Sequence, residues 1–161
     1  MRKEKIYIDT SVINFLFADD APDFRRATED FFGNYALRYD LFVSRVVIEE
    51  IEQTPDEAHR HRLLAVIGTY SVKELRAPDD RELGRLVRAY LDAGVFPAHK
   101  INDALHVAHA VVGGMDALIS WNFKHLANLR KEARIHEINR ALGYDAVLRI
   151  VSPLEVEDEL E

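Results

Sequence analysis

Short apolar runs alternate along the chain with longer segments in which apolar residues recur at helical spacing. The short runs are typical of buried strands, and we predict strands over 5–9, 41–44, 70–72, 117–120 and 147–151. The longer segments predict helices over 10–17, 22–35, 45–53, 56–67, 78–93, 100–112 and 123–142. Because strands and helices alternate, we expect a three-layer α/β/α sandwich around a mostly parallel sheet of four or five strands.

Length and composition support one globular domain. The chain has 161 residues, of which 48% are hydrophobic, so it is long enough to bury a core. No repeat, low-complexity linker or internal boundary interrupts the pattern. We predict one domain over 1–153, followed by an acidic tail over 154–161 that is loosely ordered or bound to a partner.

Composition also excludes several classes of site. The chain has no cysteine, so disulfides, thiolate nucleophiles and zinc–sulfur sites are excluded. No apolar run approaches a membrane span, and the first residues lead into a strand rather than a signal-peptide core, so we expect a cytoplasmic protein. The formal net charge of −7 argues against nonspecific binding to nucleic acid. An acidic site in which a metal offsets the carboxylates remains compatible with that charge.

Acidic and amide side chains follow the predicted strands. Asp9 ends the first strand, Glu50 lies on the helix after the second, and Asn122 follows the fourth. Asp103 lies at the start of the helix that precedes the fourth strand. Parallel sheets bind ligands at the carboxyl ends of their strands, so we expect these groups to converge. Carboxylate and amide oxygens are ligands that Mg²⁺ prefers, and such a pocket suits hydrolysis of a phosphodiester.

Each of these side chains also has a structural interpretation. Asp9 can cap the helix that follows it, and Asn122 can cap a helical turn over 123–126. The Asp103 carboxylate, at the start of its helix, interacts favourably with the helix dipole. For any one of these residues, the structural interpretation competes with the functional one.

Neighbouring glutamates and histidines also have both a functional and a structural interpretation. Of Glu49, Glu50 and Glu52, we expect one to point into the pocket and the others to face solvent. His106 and His109 lie on the helix after Asp103, and one interpretation of them is a histidine-containing metal site. Because the chain has neither cysteine nor an H-E-x-x-H pattern, we interpret them as surface groups or, for His106, as a contact to a metal ligand.

Four motifs in combination are more specific than any one of them. They are Asp9-Thr10-Ser11, Ser44 with Glu50 on the following helix, Asn102-Asp103-Ala104-Leu105-His106, and Ile119-Ser120-Trp121-Asn122-Phe123 followed by His125-Leu126. In these motifs the chain resembles the PIN-domain ribonucleases, in particular the VapC-like toxins of prokaryotic toxin–antitoxin pairs. The resemblance extends from Lys5 to about Pro153, although residues 59–97 match only in the order of helices and strands.

The resemblance implies a metal site. In that family, acidic residues at the positions of Asp9, Glu50 and Asp103 hold Mg²⁺ or Mn²⁺. The fourth catalytic position is commonly aspartate and is Asn122 here. A neutral amide offsets less of a second cation, so we expect one firmly held ion.

The resemblance also implies supporting residues and partners. Thr10, Ser11 and His106 are expected to support the site. The substrate is expected to be RNA, cleaved without a side-chain nucleophile, and basic residues around the pocket would steer it. Candidates on position alone are Arg45, Lys124, Arg130, Lys131 and Arg134. Further expected partners are a cognate antitoxin protein and a second copy of the chain, the latter bound through the apolar faces of the helices over 22–35 and 56–67.

Other classes of protein fit the sequence less well. Aspartyl-phosphate phosphatases need a second aspartate two residues after the first, and position 11 is serine. Receiver domains need a carboxylate pair near the first strand, and dinucleotide-binding domains need G-x-G-x-x-G after it; both are absent. The alternative that stays open is a catalytically weak PIN-like module that binds RNA or protein.

Overall fold

Five parallel strands form the central sheet. The computed structural model describes residues 2–122, 126 and 128–160. The strands are β1 (Lys5–Ile8), β2 (Asp40–Val43), β3 (Lys73–Glu74), β4 (Ala117–Ile119) and β5 (Arg149–Val151), in the spatial order β3-β2-β1-β4-β5. Each neighbouring pair is parallel. The predicted α/β/α fold with a mostly parallel sheet is therefore confirmed.

Helices connect the strands and cover the sheet. They are α1 (Thr10–Asn14), α2 (Pro22–Asp30), α3 (Arg45–Glu52), α4 (Glu57–Thr69), α5 (Asp80–Asp92), α6 (Ile101–Val112), α7 (Leu129–Ala141) and α8 (Pro153–Leu160). Side chains cap five of their N-termini, from Asp9, Ser44, Asp56, Asp79 and Asn128. A π-helical turn (Phe31–Tyr35) and a 3-10 turn (Ala36–Arg38) extend α2. None of the described helices has both the length and the apolar character needed to cross a membrane.

The central strands β1 and β4 position the core. Tyr7 in the middle of β1 pairs with Phe42 of β2 on one side and with Leu118 of β4 on the other. β4 is buried along its whole length, and β1 is buried after Lys5. Strands buried on both faces read as continuous apolar runs, which is why the sequence predicts both of them well.

The third strand differs from its prediction. Helix α4 continues through Gly68 to Thr69, and the chain then turns at Ser71, whose φ is 53°. The amide of Val72 donates to the carbonyl of Ile67, so the residues predicted as a strand form the end of the helix and a turn. β3 comes directly afterwards, and its two residues are exposed edge positions without an apolar pattern.

Two differences concern the C-terminal part of the chain. α7 begins at Leu129, where Asn128 caps it. The predicted helical start at 123 lies outside the described residues. Pro153–Leu160 form α8, which packs against α2 and the π-helical turn and buries Val156. The placement of a domain boundary at 153 stays a prediction.

The apolar side chains predicted to form a dimer face mostly lie in the core. Phe31, Phe32, Leu63 and Val66 are all buried within the single chain. The π-helical turn that carries both phenylalanines packs against α8, a helix that the sequence analysis did not predict. On the same two helices, Leu64 is partly buried and Phe24 is 39% exposed.

Candidate active site

A cavity of about 390 Å³ lies at the edge of the sheet where β1 and β4 end. It brings together the four predicted catalytic positions and the three predicted supporting ones. Side chains that the sequence reasoning did not select complete the lining. The lining residues are Asp9, Thr10, Ser11, Asn14, Glu50, Gln53, Thr54, Asn102, Asp103, His106 and Asn122.

Asp9 has both of its predicted roles, since it caps α1 and lines the cavity. Its Oδ1 accepts hydrogen bonds from the Ser11 hydroxyl at 2.5 Å and from the Val12 amide at 3.3 Å. Its own amide donates to the carbonyl of Ile119, which ties the end of β1 to the end of β4. Burial raises the pKa of Asp9, and the neighbouring His106 and Ser11 offset only part of that shift. Ionised Asp9 is therefore costly in the protein alone.

Glu50 is the glutamate of α3 that lines the cavity. Its Oε1 accepts from the Thr10 hydroxyl at 2.6 Å and from His106 Nε2 at 2.7 Å. Burial acts to raise the pKa of Glu50, but these hydrogen bonds and the His106 ring outweigh it and leave the pKa lowered. Glu49 and Glu52 instead pair with Arg45 on the exposed side of the helix. One glutamate of the three faces the site, as the helical geometry predicts.

Asp103 lines the cavity from the first turn of α6. Lys131 of α7 is close enough for the two charges to interact. Burial lowers the pKa of Lys131, and the Asp103 carboxylate offsets part of that shift. A cationic side chain therefore lies near this part of the acidic cavity.

The end of β4 is tied to the start of α1 by hydroxyl groups. The Trp121 amide donates to the Ser11 hydroxyl at 2.9 Å, and the Asn122 amide donates to the Ser120 hydroxyl at 2.9 Å. The Trp121 ring is buried, and its indole N–H donates to Thr28 at 2.8 Å. These contacts hold Asn122 at the cavity. The predicted cap of a turn over 123–126 by Asn122 involves residues 123–125, which lie outside the described part of the chain.

His106 and His109 are both buried, so their interpretation as surface groups is wrong. α6 carries both rings on its buried face, and burial lowers the pKa of His109. His106 has the other predicted role, because its Nε2 contacts Glu50. Its Nδ1 lies 2.6 Å from the hydroxyl of Tyr7, which the sequence reasoning missed. The signal was present: Tyr7 lies two residues before Asp9, on the same side of the strand, and a buried tyrosine hydroxyl needs a partner.

The chemistry of the lining residues fits a hard divalent cation, because three carboxylates and four side-chain amides supply oxygen donors. Among the residues that the structure describes, however, no three Asp, Glu or His side chains lie close enough together to hold one ion. Carboxylates without a cation between them repel one another, and one oxygen of Glu50 already has two donors. The donor set fits, and the side chains must draw together around the ion.

Two of the five basic residues proposed to steer a substrate are engaged elsewhere in the protein. Arg45 pairs with Glu49, Glu52 and Glu74, and Arg134 donates to the carbonyl of Ala93. Arg130 is exposed on α7, and Lys124 lies outside the described residues. Arg45 does not line the cavity, and Lys131 is the candidate whose charge interacts with that of Asp103.

Comparison with known proteins gives one family and a common fold. Residues 6–132 match the family model described as PIN domain. No curated protein sequence matches the chain. Among solved structures, the chain is similar to VapBC2 from Rickettsia felis bound to a DNA fragment from its promoter, with a TM-score of 0.55, 14% identity, and coverage of 91% of this chain and 98% of that chain. It is also similar to DNA-bound VapBC from Salmonella typhimurium, with a TM-score of 0.50, 19% identity, and coverage of 93% and 98%. At these identities the likeness to the two structures shows the fold alone.

Proposed function

The chain belongs to the PIN domain family, and from that membership and the cavity we propose that it is a metal-dependent endoribonuclease, the toxin of a toxin–antitoxin pair. PIN domains are typically nucleases and generally use divalent metals. The single observation that carries the proposal is the cavity at which Asp9, Glu50, Asp103 and Asn122 meet. The substrate is RNA, hydrolysed at its phosphodiester bonds.

Asp9 and Asp103 would hold one Mg²⁺ or Mn²⁺ ion, with Glu50 reaching it directly or through water. When bound, the ion supplies Lewis acidity for attack of water on the phosphodiester. The Ser11 and Thr10 hydroxyls each donate to one carboxylate oxygen, of Asp9 and Glu50 respectively, and so restrict how these carboxylates rotate. Asn122 offers an amide oxygen without charge, so a second ion would bind weakly or arrive with the RNA phosphate.

The raised pKa of Asp9 supports this assignment. Burial makes its charged form costly, and a bound cation would remove that cost. A residue that only capped α1 would gain nothing from being buried in a cavity with two more carboxylates.

Cleavage of RNA by the purified chain tests the proposal. We expect endonucleolytic products in Mg²⁺ or Mn²⁺ and none after chelation. Asp103→Asn should lower the cleavage rate by roughly a hundredfold, since it removes one ligand charge and leaves the shape of the side chain unchanged. Asp80→Asn is the matched control, because Asp80 also lies in the first turn of a helix but away from the cavity. Equal cleavage by both variants in titrated Mn²⁺ would refute the assigned role.

A catalytically weak module that binds RNA or protein is the second candidate. The lack of three preassembled ligand side chains among the described residues favours it, as does the neutral Asn122. This candidate predicts RNA binding without metal-dependent cleavage, and the same assay separates the two.

The proposal includes two protein partners and a cytoplasmic location. The similar structures are both described as VapBC bound to DNA, and we extend from them the expectation of an antitoxin that binds this chain. A homodimer is expected as well, with the exposed Phe24 as the remaining apolar residue of the predicted face. Light scattering that shows only monomer at high micromolar concentration would contradict the homodimer.

A further inference from the structure

A chain of hydrogen bonds runs through the interior from the start of α3 back to Glu50 on the same helix. The Val46 amide donates to the Ser44 hydroxyl at 3.2 Å, which lies 2.6 Å from the hydroxyl of Tyr7. Tyr7 lies 2.6 Å from His106 Nδ1, and His106 Nε2 lies 2.7 Å from Glu50 Oε1. The three side chains between the two ends are almost fully buried, at 0% exposure for Tyr7, 1% for Ser44 and 3% for His106.

When His106 is neutral, only one assignment of donors and acceptors satisfies this series of hydrogen bonds. An ionised Glu50 only accepts, so His106 Nε2 carries the proton and Nδ1 accepts from Tyr7. The Tyr7 hydroxyl has one proton to give, so its oxygen accepts from Ser44, whose oxygen in turn accepts from the Val46 amide. Every hydroxyl then donates once and accepts once, which is the arrangement that a buried polar network needs.

This series of hydrogen bonds ends at Glu50, whose side chain lines the cavity. A hydrogen bond that only stabilises the core would not reach the cavity. The Glu50 side chain is 29% exposed, and only its Oε1 takes the bonds from His106 and Thr10. Its Oε2 lies 3.5 Å from the Asn102 amide, at the outer limit of a hydrogen bond. One oxygen is therefore held firmly from within the protein, while the other is weakly engaged.

We propose that Tyr7 and His106 are positioning residues, which hold Glu50 by Oε1 and so present Oε2 as its metal-facing oxygen. The inference rests on the proposed function, in which Glu50 is a ligand. Partners that orient a metal ligand are worth 10- to 100-fold in metal affinity in other proteins, because they fix the ligand before the ion arrives. Tyr7 acts through His106, so we expect its effect at about the lower end of that range.

Tyr7→Phe tests the proposal, because it removes the hydroxyl and keeps the buried ring. The matched control is Tyr90→Phe, which also removes a buried hydroxyl, one that donates to Asn139 away from the cavity. In calorimetric titrations of the full chain with Mn²⁺, we expect Tyr7→Phe to raise Kd about tenfold. Tyr90→Phe should leave Kd unchanged within about twofold, the margin that an unrelated site allows. Equal Kd values for the two variants would overturn the proposal.

The protonation of His106 provides a test that needs neither metal nor activity. In ¹⁵N-histidine spectra of the metal-free chain at pH 8, assigned by comparison with His106→Gln, we expect Nε2 to carry the proton and Nδ1 to accept a hydrogen bond. Tyr7→Phe should shift the Nδ1 resonance toward that of a nitrogen without a partner. A proton on Nδ1 in the parent protein would overturn the proposed direction of the chain. This measurement decides the matter even if Tyr7→Phe does not fold.

Glu50→Gln separates failure of this inference from failure of the proposed function. If the parent chain binds Mn²⁺, Glu50→Gln weakens binding and Tyr7→Phe does not, the positioning role alone is wrong. If the parent chain binds no Mn²⁺, the proposed metal-dependent function is wrong and the positioning role falls with it.

Discussion

Two fully buried tyrosines in this protein face different surroundings. Tyr7 lies in the central strand β1 and contacts Ser44 and His106, whereas Tyr90 lies on α5 and donates to Asn139 on α7. Burial raises the pKa of both phenols. The two side chains are therefore alike in burial and in the direction of their pKa shift, so neither property separates them.

What separates the two tyrosines is where their hydrogen bonds lead. The bond from Tyr90 ends inside the protein, at an asparagine whose Nδ2 has no hydrogen-bond partner among the described residues. The bonds from Tyr7 continue to Glu50 at the cavity. A buried polar contact is expected to stabilise the fold, and one that reaches a cavity carboxylate is expected to fix that carboxylate as well.

The largest effect is predicted at Glu50, where the hydrogen bonds from Tyr7 end. Glu50→Gln should lower the rate of metal-dependent RNA cleavage on the order of a hundredfold, because it removes a ligand charge and leaves His106 facing a neutral amide instead of a carboxylate. Glu49→Gln changes the neighbouring residue, which pairs with Arg45 at the surface, and should cleave like the parent. Initial rates for the two variants at saturating Mn²⁺ check the prediction, and equal losses would contradict it.

The next largest effect is on the free energy of unfolding, at Tyr90. Tyr90→Phe should lower the free energy of unfolding by about 1–3 kcal/mol, since it leaves the Asn139 carbonyl buried without its donor. Adding Asn139→Leu should recover much of that loss, because the unpaired amide is removed as well. Urea unfolding gives the free energy of unfolding of both variants. A double variant that is less stable than Tyr90→Phe alone would contradict the prediction, because Asn139 would then stabilise the fold through contacts other than the one with Tyr90.

Asp9→Asn should have a smaller and opposite effect on stability. The asparagine keeps the capping oxygen and removes a costly charge, so the metal-free variant should be more stable than the parent by on the order of 1 kcal/mol at pH 8. The sign follows from the raised pKa of Asp9, because stability that is present below its unfolded pKa is lost as pH rises through the folded one. The difference between variant and parent should therefore grow from pH 4 to pH 8 in thermal unfolding with chelator present. A constant difference would contradict the raised pKa.

The smallest effect is expected at Asn122. Asn122→Asp adds a ligand charge to the cavity and should tighten Mn²⁺ binding a few-fold or add a second site. Calorimetric titration measures this change. An isotherm identical to that of the parent would leave Asn122 with a structural role only.

Sequence patterns predicted the elements whose side chains are either all apolar or clearly periodic. β1 and β4 are continuous apolar runs between buried faces, and α6 is bounded by Gly113-Gly114, so their positions were accurate within a residue or so. β3 was misplaced because it has two exposed residues and no apolar signal. The packing of α8 was missed because the segment is acidic in sequence, although Pro153 and Val156 are buried.

The candidate site was predicted as a set of positions but not as a network. The rule that ligands bind at the carboxyl ends of parallel strands correctly grouped Asp9, Glu50, Asp103 and Asn122 around one cavity. The contacts between Tyr7, Ser44 and His106 join β1, the residue after β2, and α6. The alternation along β1 places Tyr7 on the same side as Asp9, but it does not identify the distant residues that Tyr7 contacts. Their roles in metal binding stay predictions.

A crystal structure of the full chain soaked in Mn²⁺, with anomalous scattering recorded for the ion, tests the central claim most directly. We predict one ordered ion in the cavity, bound by Asp9 and Asp103, with Glu50 reaching it through Oε2 or through a water molecule. A cavity without an ordered ion at saturating Mn²⁺, or an ion bound elsewhere on the protein, would contradict the account.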